Sequence, residues 1–191
     1  MQAGWVSDES SAFEWLQGLS RCGIGTLDLP ILLRLHAAWR ASDTQALQRW
    51  NAQLMASRDS AELRAQEQQL GQALARVLIT LEVREALGWQ RRSSAFATLF
   101  SLAAVRWQIA ADATLGGYLW AWSENQVLCA VKLVPLGQSA GQRLLHRLTD
   151  SMPQIIERAL TMPDEAIGVG VVSQALASAL HETQYSRLFL S

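Results

Sequence analysis

Apolar side chains recur every three or four positions along almost the whole chain, the spacing that puts them on one face of an α-helix. No stretch alternates apolar and polar residues as a half-buried strand would, and the only β-branched run, 167–172, is too short to seed a sheet. Ser7-Asp8 offers an N-cap to a helix carrying Phe13, Leu16 and Leu19, which Gly23 and Gly25 should stop. Asp28-Leu29-Pro30 reads as the cap and first turn of a second helix, with Leu32, Leu33, Leu35 and Trp39, ending near Ser42. Asp43 caps a third with Leu47, Trp50 and Leu54. Ser60 opens a longer one, where Leu63, Leu70, Leu74, Val77, Leu78 and Leu81 form the buried stripe and Arg64, Glu67, Gln68 and Arg76 the wet side. After a break at 88–92, Ser93 or Ser94 caps a helix with Phe96, Leu99, Phe100, Ala103 and Trp107. A further helix covers roughly 113–133 and ends before Pro135, because the residue ahead of a proline avoids α geometry. A turn at Pro135-Leu136-Gly137-Gln138 leads to a helix with Leu144, Leu145 and Leu148, and shorter helices follow near 153–160 and 171–180. The expectation is an all-α fold, a single-domain bundle of about eight to ten helices over 1–180, followed by a tail at 181–191 with no amphipathic pattern.

Charge narrows the function classes. Sixteen Lys+Arg against seventeen Asp+Glu leave a net charge of −1, so the cationic surface that nucleic acid demands is absent. Half of the 191 residues are hydrophobic and only 17% charged, which suggests more apolar surface than a lone monomer needs to cover. Cys22 and Cys129 are too far apart for a metal-binding pair or a disulfide framework, so a reduced cytoplasmic setting is the default. The opening residues lack the basic-then-apolar pattern of a signal peptide. The most apolar stretch, 117–136, is interrupted by Ser123-Glu124-Asn125-Gln126 and Lys132, which argues against a membrane span.

Reactive signatures are sparse. His36, His146 and His181 stand on separate predicted elements with no HExxH spacing, although a metal at His146 or His181 keeps a helical metalloenzyme as a rival reading. There is no GxSxG and no GxxxxGK[ST], and Gly168-Val169-Gly170 lacks the lysine and the strand of a phosphate cradle.

Three segments stand out. Tyr118, Trp120 and Trp122, followed by Glu124, sit on a helix apolar nearly all round, either a core helix or one with a face covered by another subunit. Lys132, the only lysine, precedes Pro135, Gly137, Gln138 and Gln142; it either snorkels from a helix end or forms the charged centre of a docking patch for an acidic partner. The tail holds Gln184, Tyr185, Arg187, Leu188 and Phe189, a composition that either frays or orders when a partner covers it.

The strings Leu119-Trp-Ala-Trp-Ser-Glu-Asn-Gln126, Val131-Lys-Leu-Val-Pro-Leu-Gly-Gln138 and His181-Glu-Thr-Gln-Tyr-Ser-Arg-Leu-Phe189 resemble signatures of the UreF family of urease accessory proteins. Ala3-Gly-Trp-Val6 and the segment 64–74 with Gly71 are similar to that family's pattern as well. The resemblance implies an all-α, homodimeric chaperone without catalysis of its own, acting in nickel delivery to apo-urease. It implies a chain that bridges a UreD/UreH-type scaffold protein and a UreG-type GTPase, with nickel and GTP handled by those partners and no cofactor bound directly. Lys132 and the turn through Gln142 resemble the part that meets the GTPase; a rival reading has an arginine such as Arg143 or Arg147 act on that GTPase in trans as a finger. Gln184, Tyr185, Arg187, Leu188 and Phe189 resemble the part that orders against the scaffold protein. Two departures stand: the family pattern opens with a Pro-Val-Gly-x-Phe-Ser-Tyr-Ser-like stretch ahead of this chain's first residue, and position 190 is Leu where a basic residue is expected.

Overall fold

The first helix, α1 (Glu9–Leu19), starts on a reciprocal cap: the Asp8 carboxylate accepts from the Ser11 N–H, and the Ser11 hydroxyl accepts from the Asp8 N–H. The computed structural model describes residues 6–168, which are helical with no strand. Gly23 and Gly25 do not end α1 as expected. The chain runs on through a π-helical segment, Ser20–Asp28, directly into α2 (Leu29–Ala41). Gly25 serves proximity instead, since a Cβ there would lie 2.8 Å from Ile155 Cγ2 and 2.9 Å from the Ser20 carbonyl oxygen. Pro30 has no N–H to offer the Thr26 carbonyl one turn back; the Gly168 N–H donates to it at 3.3 Å and pins the far end of the described chain there.

The expected caps at Asp43 and Ser60 form, starting α3 (Thr44–Ala56) and α4 (Ala61–Thr80) by accepting from Ala46 N–H and Leu63 N–H. A 3₁₀ turn (Arg84–Gly88) leads to α5 (Phe96–Arg106), α6 (Ala111–Leu133), α7 (Gln138–Thr149) and α8 (Met152–Thr161), then a 3₁₀ turn at Asp164–Ala166.

Two expectations invert, both at α4. The face turned inward carries Glu67, Gly71, Ala75 and Leu78, while Leu70, Val77 and Leu81 of the expected core stripe are 47%, 52% and 54% exposed. Gly71 explains the rotation sterically, because a Cβ there would sit 1.9 Å from the Ser94 carbonyl oxygen. Glu67 explains it electrically. Arg58, between α3 and α4, reaches Glu67 Oε2 at 2.7 Å and Asp28 Oδ2 at 3.2 Å. Asp28 is therefore no N-cap: its backbone is already helical, its carboxylate is buried, and Tyr118 of α6 donates to it at 3.2 Å. Burial works against the Arg58 charge, but the two carboxylates outweigh it and hold the guanidinium protonated.

The other Glu67 oxygen accepts from the Phe96 N–H at 2.7 Å, and Asn51 Oδ1 of α3 accepts from the Ala95 N–H at 2.8 Å and the Thr98 hydroxyl at 2.9 Å. Thus α5 is capped by side chains from α3 and α4, not by Ser93 or Ser94; the Ser94 hydroxyl donates to the Trp89 carbonyl. Trp107, expected on the α5 core stripe, is 54% exposed.

Buried apolar side chains form two groups. The larger joins α2, α3, α4, α5, the first half of α6 and α8; the smaller joins α1, the second half of α6 and α7. Removing one member of a buried ion cluster leaves the others uncompensated, so Arg58→Ala should cost about 3–5 kcal/mol in urea unfolding. Burial, reinforced by the Asp28 carboxylate, pushes the Tyr118 phenol well above its usual 10.0. The folded state then keeps a proton that the unfolded chain has lost, so this contribution is whole below about pH 10 and falls away as pH rises further. Tyr118→Phe should flatten that alkaline decline in unfolding curves taken across pH 9–11.

Candidate partner-binding surfaces

At the end of α6 the sequence forces a stop. Pro135 removes a donor and turns Val134 to extended geometry, and Gly137 precedes the first residue of α7. Gly141 lets α7 lie close along α6, since a Cβ there would be 2.7 Å from Val131 Cγ2. This junction exposes Lys132, Pro135, Gly137, Gln138 and Gln142 together. Lys132 lies in the last turn of α6, where a cation suits the helix dipole, and Leu133 beside it is 38% exposed. Each of these five residues is exposed.

The aromatic set divides. Tyr118 is buried, with its ring 5.4 Å from Phe100 and 5.9 Å from Phe96, and it belongs to the larger core. Trp122 is half-buried against both cores. Trp120, 44% exposed, and Glu124 face outward, with Leu128 further along the helix 54% exposed. Gln184, Tyr185, Arg187, Leu188 and Phe189 lie outside the described residues, as do His181 and the expected helix at 171–180.

Other candidates acquire structural employment. The Arg143 guanidinium pairs with Glu9 at 2.7 Å, and this hydrogen bond holds the Glu9 carboxyl below its usual range. Arg147 lies over the Phe13 ring at 3.8 Å. Both arginines fasten α7 to α1. His36 is buried with Nε2 3.0 Å from the Ile109 carbonyl oxygen, and His146 is exposed on the last turn of α7. Among the described residues, no group of three or more His, Cys, Asp and Glu side chains is placed to hold a metal ion. A cleft of about 550 Å³ is lined by Glu82, Arg84, Glu85 and Arg106, and another of about 320 Å³ lies beside α1 and α7.

Comparison with known proteins decides the family. Its sequence model, described as UreF, matches residues 6–149. A urease accessory protein UreF of Alkalilimnicola ehrlichii is 45% identical over the whole chain, which covers 84% of that relative. The proteins of the same name from Chromohalobacter salexigens and Teredinibacter turnerae are 44% and 41% identical, again over the whole chain, which covers 83% and 86% of them. The chain belongs to the UreF family of urease accessory proteins. The UreF match takes in Lys132 and the turn through Gln142 and stops short of 181–191. The all-α expectation for a UreF protein holds, and no helix among the described residues is long and apolar enough to cross a membrane.

The interior roles of four side chains escaped sequence reading: Asp28 reads as a cap and Glu67 as solvent-facing, and Asn51 and Arg58 are not singled out. Only Asp28 carried a signal, a lone carboxylate at the head of an apolar run, and the following Leu-Pro made it look like a cap.

Proposed function

We propose that this chain is a urease-maturation chaperone that works through surfaces alone, bridging a UreD/UreH-type scaffold protein and a UreG-type GTPase while the assembly docks on apo-urease in the cytoplasm. Nickel is carried and GTP hydrolysed by the partners, and the chain itself holds neither. The observation that carries this reading is the α6–α7 junction, where an exposed lysine stands beside exposed apolar surface with side-chain amides close by. A cation surrounded by apolar surface strengthens as water is excluded on docking, which suits an acidic patch on the GTPase. The residues of the tail, Gln184 to Phe189, supply the second surface, for the scaffold protein. The intramolecular roles of Arg143 and Arg147 count against either serving as an arginine finger.

Two copies pair through the outward face of α6. Trp120 anchors it, with Leu128 beside it, and Glu124 lies on its polar margin.

Lys132→Ala should cost about 2–5 kcal/mol of GTPase binding and leave scaffold binding intact. Removal of 181–191 should release the scaffold protein first. Pull-downs with each purified partner separate the two; wild-type GTPase recruitment by Lys132→Ala excludes that residue. Trp120→Glu should convert a dimer to a monomer in light scattering. A dimer that survives it but is lost in Val77→Glu would move the contact to α4.

A further inference from the structure

The two apolar cores are unequal and are joined at few places. The larger gathers 26 buried residues and the smaller ten, among them Leu16 of α1, Val127 and Ala130 of α6, and Leu144 and Leu148 of α7. We infer that α1, the last turns of α6 and α7 unfold locally as one cooperative unit while the rest of the bundle stays folded, with the π-helical segment and the middle of α6 as its boundaries, and that the Lys132 turn loosens with them. This goes beyond the partner assignments and does not rest on them.

Size sets the direction. Burial free energy scales with apolar area removed from water, so the group of ten residues separates at lower cost than the group of 26. The covalent joints suit a boundary. One is Ser20–Asp28, where π turns interrupt the α-helical hydrogen-bond register between Leu19 of the smaller core and Ile24 of the larger. The other is α6, which runs from Leu119 in the larger core to Val127 in the smaller. Between them stand Trp122, half-buried against both cores, and Ser123, 1% exposed with a hydroxyl that finds no hydrogen-bond partner among the described residues. An unsatisfied buried hydroxyl weakens packing at that level, and water reaching it on opening offsets part of the cost.

The seam also carries a cleft open to solvent. The cleft of about 320 Å³ is lined by Phe13 and Gln17 of α1, Arg21 of the π segment, Arg147 of α7, and Asp150 and Gln154 beyond it. The ion pairs respect the division. Arg34–Asp164, Arg58–Asp28 and Arg58–Glu67 lie within the larger part, and Glu9–Arg143 ties α1 to α7 within the smaller. Arg147 over Phe13 adds a second tie of that kind. The small group is therefore stitched internally, so that α1 and α7 come apart together.

Hydrogen exchange followed by mass spectrometry on the full chain, without partners, tests this. Amides of α1, of 127–134 and of α7 should exchange as a set, about tenfold or more faster than those of α2 and α5. Leu144→Ala should accelerate that set further by about tenfold or more and leave α2 and α5 unchanged. Equal protection of α7 and α5 in the wild-type chain would overturn the inference. So would acceleration of α5 as large as that of α7 in the variant. Should Leu144→Ala not fold, Val127→Ala, a smaller truncation in the same core, is read by the same criterion. Because no GTPase is present, the result stands whether or not Lys132 proves to be its contact.

Discussion

A guanidinium taken out of water must be surrounded by negative charge, and that requirement at Arg58 organises the bundle. It draws Asp28 inward from the end of the π segment and Glu67 inward from α4. Asp28 in turn takes the Tyr118 hydroxyl of α6, and the second oxygen of Glu67 closes the first turn of α5. One cation thereby sets the rotation of α4, the position of the junction into α2 and the start of α5. Removing Arg58 alone would strand two buried carboxylates with no cation between them. Apolar contact fills the space between these helices, whereas the ion cluster determines which faces meet.

The same cluster explains what the amino-acid sequence made legible and what it hid. Periodicity identified the helices and the all-α class, and local capping chemistry located the starts of α3 and α4 at Asp43 and Ser60, because a cap is satisfied within a few residues. It failed where the partner came from elsewhere in the chain. Asp28-Leu-Pro carries every local mark of a helix start, but its carboxylate was claimed by Arg58, thirty residues on. Ser94 looked like the cap of α5, yet Asn51 and Glu67 reach those amides from other helices. On α4 the leucines drew the eye to one face, while a buried Glu67 and the close approach at Gly71 required the other.

The candidate surface was more legible than the interior. Lys132, Pro135, Gly137, Gln138 and Gln142 are near neighbours in sequence, and a proline-terminated helix followed at once by another leaves such residues exposed at their junction. The aromatic cluster was only half legible. Residues 118 and 122 share a face and turn inward to different degrees, whereas 120 points away from them, as helical spacing requires. Which of these faces meets a neighbouring protein depends on the environment of the whole helix, and the spacing alone left that open.

The interior polar network and the apolar exterior are consequences of each other. A helix of twenty residues has one inward face, and on α4 that face is occupied by Glu67, Gly71 and Ala75 together with Leu78. Leu70, Val77 and Leu81 are left outside. Fully burying a side chain of this kind is worth roughly 1.5–3 kcal/mol, and these three, each about half exposed, forgo a substantial part of it in the isolated chain. For a solitary protein this arrangement is a stability loss with no return. For one whose surfaces are covered in an assembly, the loss is recovered on docking, and the ion cluster that keeps the helices in register holds the apolar faces where a neighbour can reach them.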